Sequence, residues 1–281
     1  MELWFTEQEQ EQIRTSWKAE EVLFRSQSEF QAVDVIQTKA YGRMLVLDGC
    51  VMLTDADEFV YHEMIAHVPA LIHKNPKRVV VIGGGDGGTV RELLKHKGIE
   101  EIILCEIDGV VVDTCRKFFP KVAGCLDDKR VKVKIGDGIA YMKELNQEID
   151  LAIIDSTDPI GPGEGLFSGE FYRSVAKALK PGGLMVAQSE SPWYSNVILG
   201  RIHRNISAGF KHKRSYMGAI PTYPRGLWSW TMAGQDAFSP ADFDRARFNE
   251  IAAGLQYLSA NMVASVFDIP PFFRAKLDVN E

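Results

Sequence analysis

The chain has 281 residues and an ordinary globular composition, with 46% hydrophobic and 25% charged residues. Its formal net charge of -6 argues against a nucleic-acid partner, which selects basic surfaces, and is compatible with a cationic ligand. No apolar run approaches the ~20 residues of a membrane span, and the acidic, glutamine-rich start predicts no signal peptide.

Residues 1–58 predict a small antiparallel β-domain, because apolar and polar side chains alternate along them. The predicted strands are Leu23–Ser26, Phe30–Gln37 and Arg43–Gly49, with turn signals at Tyr41-Gly42 and Asp48-Gly49. Helical spacing then begins, and Asp57–Ile72 predicts a helix that leads into a second domain. We therefore expect two domains, residues 1–58 and residues 59–281.

The second domain alternates strands and helices, which predicts a parallel sheet with right-handed crossovers. The predicted strands are Val79–Ile82, Glu101–Ile107, Val131–Ile135, Asp150–Ile154 and Leu184–Gln188. The predicted helices are Thr89–His96, Val110–Phe119 stopped by Pro120, Ile139–Leu145, Ser168–Leu179 stopped by Lys180–Gly183, about 195–208, and 239–260 with Ser239-Pro240 as its start. A hairpin over His212–Ala233 completes the pattern, and Ile160–Leu166 is expected to be a loop.

A glycine-rich stretch after the first of these strands indicates a nucleotide-type site. Gly83, Gly85 and Gly88 fit the pattern G-x-G-x-x-G, in which glycines allow a tight turn and the close approach of a ligand. Asp86 lies inside this loop, where its carboxylate would repel the pyrophosphate that such loops commonly bind. The loop therefore predicts a ligand that is cationic near the turn.

Acidic residues follow the later strands, and ligands of such sheets bind beyond the carboxyl ends of the strands. Glu106 lies about 20 residues past the loop, where an acidic residue binds ribose hydroxyls. Asp137, with Gly138 beside it, binds an adenine amino group or caps the next helix. We interpret Asp155 and Asp158 as a pair that holds and deprotonates an amine, with an N-cap as the alternative for one of them.

Several other polar side chains would suit a pocket for an alkyl amine. Tyr61 and His62 open the helix before the glycine loop, although His62 is equally compatible with a surface position. Gln31 and Gln188 lie near strand positions and could bind polar ligand groups. Tyr223 flanks a proline-rich turn and could equally belong to the core.

An ordered set of segments over about residues 30–230 resembles the spermidine synthase (polyamine aminopropyltransferase) family of bacterial type. The segments are Leu45–Gly49, Asp57–Met64, Gly83–Gly88, Glu106–Asp108, Asp155–Pro159 with Gly161-Pro162, and Ile220–Pro224. The resemblance implies an α/β fold in which a small antiparallel β-domain precedes a Rossmann-like, methyltransferase-type parallel sheet domain. It also implies a homodimer or homotetramer.

The resemblance implies transfer of the aminopropyl group of decarboxylated S-adenosylmethionine, a co-substrate, to putrescine, giving spermidine and 5'-methylthioadenosine. Asp155 is then the proton acceptor, Asp158 and Tyr61 hold the diamine, and His62 and Asp86 lie along the aminopropyl and polyamine path. Glu106 would bind the ribose. The nucleoside side would further contain Gln31, Asp137, Gly138 and Pro162, and the amine pocket Gln188 and Tyr223. One departure is Cys50–Leu53, a segment in which family members often have Gln.

The residues themselves suit this chemistry. A sulfonium and a protonated diamine must meet, so carboxylates would offset the repulsion between them and supply the base. We expect no metal and no further cofactor. The four cysteines form no CxxC pair, which predicts reduced thiols in a cytoplasmic protein.

Three alternative functions use the same sequence features. A methyltransferase or a putrescine N-methyltransferase would bind a carboxylated donor, and an NAD-dependent dehydrogenase would bind pyrophosphate. Asp86 would repel both of these anions. A non-catalytic polyamine-binding protein would not need the set of Asp155, Asp158 and Tyr61. The acceptor stays open among putrescine, cadaverine, agmatine and spermidine.

Overall fold

The computed structural model describes residues 2–158, 161–193 and 196–277. Within these residues the chain forms a five-stranded and a seven-stranded β-sheet. The strands are β1 (Leu3–Gln10), β2 (Ile13–Gln27), β3 (Ala32–Thr38), β4 (Gly42–Leu47), β5 (Cys50–Thr54), β6 (Arg78–Gly83), β7 (Glu101–Glu106), β8 (Val131–Ile135), β9 (Ile149–Asp155), β10 (Leu179–Gln188), β11 (His212–Gly218) and β12 (Trp228–Gly234). The helices are α1 (Glu58–Ile72), α2 (Gly88–Leu94), α3 (Gly109–Phe118), α4 (Pro120–Ala123), α5 (Gly138–Glu144), α6 (Gly169–Ala178), α7 (Asn196–Ile206), α8 (Arg245–Ile251), α9 (Met262–Ser265) and α10 (Pro271–Leu277).

The N-terminal sheet is antiparallel and its strands follow chain order, which confirms the predicted small β-domain. Alternate residues of β3 face opposite layers, so that Val35 joins the large core beside the second domain while Ile36 packs near Trp17. The sequence prediction lacks β1, β5 and the first part of β2. Glu and Gln, which have low strand propensity, are frequent in β1 and β2, and β5 is only five residues long.

The second sheet has the parallel order β8-β7-β6-β9-β10, extended by the antiparallel strands β12 and β11. This arrangement confirms the predicted Rossmann-like domain and its terminal hairpin. Val79–Ile82 of β6 are at most 1% exposed, because helices cover both faces of the parallel strands. The direction in which strands are added reverses between β6 and β9. A ligand crevice is expected beyond the carboxyl ends at such a reversal.

The two predicted helix stops hold to within one residue, but the structure that follows each of them differs from the prediction. The helix α3 ends at Phe118, and Pro120 then occupies the first turn of a separate short helix, α4, where a proline costs no hydrogen bond. Lys180–Gly183, predicted as a stop before a strand, lies within β10 as an irregularity between Leu179 and Leu184. Strand pairing resumes at Leu184, which is where the sequence predicts the strand to start.

The predicted helix over residues 239–260 is wrong. Ser239 makes no capping hydrogen bond, and only a short 3-10 turn follows at Pro240–Asp242. The helix α8 begins later, after Asp244, whose side chain accepts a hydrogen bond from the Arg247 amide. Ile160 lies outside the described residues, and most of the expected loop after it is a 3-10 helix at Gly161–Phe167.

Two simple expectations from composition can be compared with the structure. All four cysteines are free thiols, as predicted. Among the helices of the described ranges, none combines the length and the apolar character required to cross a bilayer.

Candidate active site

A cavity of about 310 Å³ lies at the carboxyl ends of the parallel strands, next to the reversal between β6 and β9. Residues of the N-terminal sheet, including Leu45 and Leu47, form part of its wall, so both domains contribute to it. The predicted site residues that line the cavity are Gln31, Tyr61, His62, Asp86, Glu106, Asp137, Gly138, Asp155, Asp158 and Tyr223. The acidic side chains expected at the strand ends therefore lie in one crevice, and they are Asp86, Glu106, Asp137, Asp155 and Asp158.

Asp155 lies at the end of β9 and is held by two hydroxyl groups. Tyr61 donates to Oδ1 at 2.6 Å, and Thr89 donates to Oδ2 at 2.6 Å. The carboxylate approaches the glycine loop so closely that a Cβ at Gly84, where φ is 68°, would lie 2.6 Å from Oδ2. Burial and the charge of Asp86 raise the pKa of Asp155, while His62 and the two hydroxyl donors act in the opposite direction. A buried, oriented carboxylate of raised pKa is suited to accept a proton.

His62 bridges two carboxylates at the wall of the cavity. Its Nε2 lies 3.1 Å from Asp86 Oδ1, and its Nδ1 lies 2.5 Å from Glu58 Oε2. Burial opposes the charged ring, but the two carboxylates more than offset it and raise the pKa of His62 to about 10. His62 is 2% exposed, which excludes the alternative of a surface histidine.

At one end of the cavity, Glu106 accepts two backbone hydrogen bonds. The Gly85 amide donates to Oε2 at 3.1 Å and the Asp108 amide donates to Oε1 at 2.9 Å. Burial raises the pKa of Glu106 to about 7, and the nearby charge of Asp108 adds to this effect. Gln31 reaches this end from the N-terminal domain and donates to Asp108 Oδ2 at 3.0 Å. Asp108, which also caps α3, thus ties the two domains together beside Glu106.

Asp137 and Gly138 complete this end of the cavity. Asp137 is the N-cap of α5 and accepts a hydrogen bond from the Ile139 amide at 2.7 Å, so the capping alternative is correct. It also lines the cavity, and the two roles are compatible because a carboxylate has several acceptor positions. A Cβ at Gly138 would lie 2.4 Å from Ile82 Cγ2, so this position has no room for a side chain.

Around Asp158, which also lines the cavity, the structure places two carboxylates that the sequence analysis missed, Glu190 and Glu7. Burial raises the pKa of both Asp158 and Glu190, and a hydrogen bond joins the two side chains, so one proton is held between them. Glu190 has φ of 69° and, among the described residues, no hydrogen-bond partner for Oε1. Burial, with the charges of Glu9 and Asp158, raises the pKa of Glu7 to about 8. The surroundings of Asp158 are therefore acidic and suited to a cation.

The remaining predicted residues lie at or behind the wall. Tyr223 packs 5.7 Å from the Tyr61 ring and donates to the Met52 carbonyl at 2.6 Å. Gln188 is not among the described residues that line the cavity, and its amide instead donates to the carbonyl oxygens of Ser156 and Thr157. It thereby supports the segment between Asp155 and Asp158. The side chain of Pro162 lies outside what the structure describes.

Two family models match the amino-acid sequence of the chain. The Spermine/spermidine synthase domain matches residues 58–243, and the Spermidine synthase tetramerisation domain matches residues 3–55. The first match covers the helix α1 and the whole of the seven-stranded sheet. The second match covers the five-stranded sheet.

Curated relatives and solved structures agree with these matches. The polyamine aminopropyltransferase of Bacillus mycoides is 42% identical over 97% of this chain and 98% of its own length. That of Caldicellulosiruptor saccharolyticus is 44% identical over 97% of each chain. A spermidine synthase in complex with the transition-state analogue AdoDATO superposes with a TM-score of 0.95 at 39% identity, covering 98% of this chain and 94% of that one. The spermidine synthase from Thermotoga maritima gives 0.93 at 39% identity with the same coverage.

A near-full-length match at this level of identity, with a cavity lined by most of the predicted site residues, identifies the family of the chain. The chain belongs to the spermine/spermidine synthase family and is a transferase of the polyamine aminopropyltransferase type.

Proposed function

We propose that the chain is a spermidine synthase that transfers the aminopropyl group of decarboxylated S-adenosylmethionine to putrescine, with Asp155 as proton acceptor. The observation that carries this proposal is the buried Asp155 carboxylate, oriented by Tyr61 and Thr89 in a cavity that other acidic side chains also line. The donor is a co-substrate, and we propose that no metal or other cofactor takes part.

The proposed reaction is a nucleophilic substitution. One amino group of the acceptor loses a proton to Asp155 and gains a lone pair. That lone pair attacks the methylene carbon next to the sulfonium, a C–N bond forms, and the C–S bond breaks with its electrons going to sulfur. The products are spermidine and neutral 5'-methylthioadenosine. Positioning the amine in line with the C–S bond can contribute ~7–11 kcal/mol to lowering the barrier.

The two ends of the cavity favour a defined orientation of the substrates. We assign the end with Glu106, Gln31 and Asp137 to the nucleoside, because a carboxylate and an amide can accept and donate hydrogen bonds to ribose and adenine. Pro162 is assigned to the nucleoside by the family resemblance alone. Asp158, with Glu190 hydrogen-bonded to it, would hold the distal ammonium of the acceptor. Tyr61 and Tyr223, which also line the cavity, would pack against the methylene groups.

The proposal is tested first by turnover. The wild-type protein with decarboxylated donor and putrescine should release 5'-methylthioadenosine, and a panel with cadaverine, agmatine and spermidine then ranks the acceptors. Asp155→Asn should lower kcat by about 10²–10⁴-fold with donor affinity little changed, because it removes the base and keeps the size. Asp113→Asn, on the exposed face of α3, is the matched control. No release by the wild type would refute the assignment, and equal losses of rate and donor affinity would mean that Asp155 is structural.

Discrimination between donors gives a second test. The charge of Asp86 should favour the decarboxylated donor over S-adenosylmethionine, whose carboxylate it would repel. Asp86→Asn should therefore bind S-adenosylmethionine more tightly relative to the decarboxylated donor, measured as an inhibition constant. Unchanged inhibition by S-adenosylmethionine would contradict this account of Asp86.

We also propose a homodimer or homotetramer in the cytoplasm. The outer strand β1 exposes Leu3 by 47% and Trp4 by 52%, which is unusual for large apolar side chains in a row and would suit self-association. Light scattering should give two or four times the 31.4 kDa of one chain. A single-chain mass at micromolar concentration would contradict the proposal.

A further inference from the structure

A run of alternating acidic and basic side chains leads away from the cavity. Beyond His62, the Glu58 carboxylate receives two hydrogen bonds from the Arg91 guanidinium, at 2.7 and 2.9 Å. Arg91 Nε in turn donates to Glu92 Oε1 at 2.8 Å. Glu92 Oε2 lies 2.9 Å from His67 Nε2 in the buried layer between α1 and α2. Every charge of this run has a partner of opposite charge, and of its described members His62 and Asp86, at one end, line the cavity.

The geometry around His62 fixes its protonation. Both ring nitrogens face a carboxylate oxygen, Glu58 on one side and Asp86 on the other. Ionised carboxylates only accept hydrogen bonds, and a neutral imidazole has a single N–H group. Only the imidazolium can therefore donate to both partners. The ring packs closely against Gly88, where an added Cβ would lie 2.2 to 2.4 Å from three of its atoms.

We propose that Glu58, held by Arg91, is a positioning residue for the transfer reaction: it fixes His62 as an imidazolium that compensates Asp86 and so keeps Asp155 ionised. The charged groups that face His62 are Glu58 from its own helix, Asp86 from the glycine loop and Asp155 from the end of β9. Arg91 of α2 acts through Glu58. The kinetic part of this inference rests on the proposed transfer reaction.

The electrostatics of the individual groups support this arrangement. Burial alone would favour a neutral Glu58, but the hydrogen bonds and charges of His62 and Arg91 lower its pKa and keep it ionised. The charge of Asp86 raises the pKa of Asp155, whereas the charge of His62 lowers it. If His62 lost its proton, Asp155 would face the uncompensated charge of Asp86. It would then hold its own proton more tightly and be a poorer base at neutral pH.

The first test is a nitrogen-15 NMR spectrum of the histidine side chains in the full-length protein, with the His62 signal assigned by comparison with His62→Gln. In the wild type, both ring nitrogens of His62 should stay protonated up to about pH 9, in keeping with its pKa of about 10. In Glu58→Gln the ring should be neutral at pH 7, and Glu58→Asp should restore part of the effect. A neutral His62 in the wild type at pH 7 would overturn the proposal even if no variant folds.

The second test is the pH dependence of kcat. Glu58→Gln should move the acid limb to higher pH by about one unit, which is a tenfold loss of rate below the limb, with a smaller change in donor KM. Glu100→Gln removes an exposed carboxylate that pairs with Lys77 and should leave the profile unchanged. An unshifted acid limb in folded Glu58→Gln would overturn the proposal. If the wild type transfers no aminopropyl group, the proposed function fails, and the NMR result alone then decides the state of His62.

Discussion

Substituting Gly88 by alanine tests whether the His62 ring is rigidly held. Gly88 is the last glycine of the G-x-G-x-x-G pattern, a position usually explained by close packing of helix against strand. Here the neighbour is a side chain, because a Cβ at Gly88 would lie 2.2, 2.3 and 2.4 Å from Cε1, Nδ1 and Nε2 of His62. Real Cβ atoms do not approach so closely, so either the first turn of α2 or the imidazole must move.

The cost follows from what anchors the ring. His62 is 2% exposed and is bonded to Glu58 and Asp86, so moving it weakens hydrogen bonds between charged groups. Overpacking of this kind typically costs about 1–3 kcal/mol, and alanine regains about 0.5–1 kcal/mol as a better helix former than glycine. We therefore expect a net loss of about 1–2 kcal/mol in the free energy of unfolding. For a chain of this size, that lowers the melting temperature by about 2–4 °C.

The assay is thermal unfolding together with steady-state kinetics. Gly124→Ala is the matched control, since its added Cβ would meet nothing within 4 Å and its φ of -62° suits any residue. That variant should be unchanged or about 0.4–1 kcal/mol more stable. Gly88→Ala should also lose kcat, because the displaced ring no longer faces Asp86. A Gly88→Ala protein with the melting temperature and kcat of the wild type would refute the rigid placement of His62.

Two further predictions concern other buried carboxylates. Glu63 accepts amide hydrogen bonds from Gln256, Tyr257 and Leu258, so Glu63→Gln should cost about 2–4 kcal/mol in urea denaturation and raise hydrogen exchange at those amides. Unchanged exchange there would contradict that role. Glu106 has a pKa of about 7 in the folded state, above its ordinary value of 4.5. Between pH 7 and pH 4.5 the folded state therefore binds a proton that the unfolded state does not. As the pH falls over this range, the free energy of unfolding should rise relative to that of Glu106→Gln. A stability difference that is flat over this range would show that the carboxyl group is not perturbed.

Much of the catalytic domain follows from local sequence signals. The apolar run Val79–Ile82 and the strands after it alternate with helices, and the handedness of crossovers then leaves few topologies. Because parallel strands end at one edge, Asp86, Glu106 and Asp155 could be placed at one crevice before any contact was known. Residues immediately after apolar strands were thus predictable.

The residues that were missed depend on tertiary packing. Glu7 belongs to a polar strand that forms only against β2, and nothing local shows that β1 reaches Asp158. Glu190 lies two residues beyond β10, and Asp155 is the last residue of β9, so the same argument from strand ends could have found Glu190. The role of Glu58 was not visible either, since a glutamate in the first turn of a helix is ordinary. Only the structure shows that its partners are His62 and Arg91.

The contacts that complete the cavity join distant parts of the chain. Asp57 at the start of α1 accepts hydrogen bonds from the amide and hydroxyl of Thr222, which is 165 residues later and next to Tyr223. Glu63 binds the Tyr257 amide, 194 residues later. Contacts between residues so far apart in the chain close long loops, which has a high entropic cost, and we expect them to form late in folding. A nascent chain on the ribosome would therefore be unable to bind substrates until nearly all of it had emerged. Until then, Asp57 and Glu63 at the first turns of α1 would lack their hydrogen-bond partners, Thr222 and Tyr257.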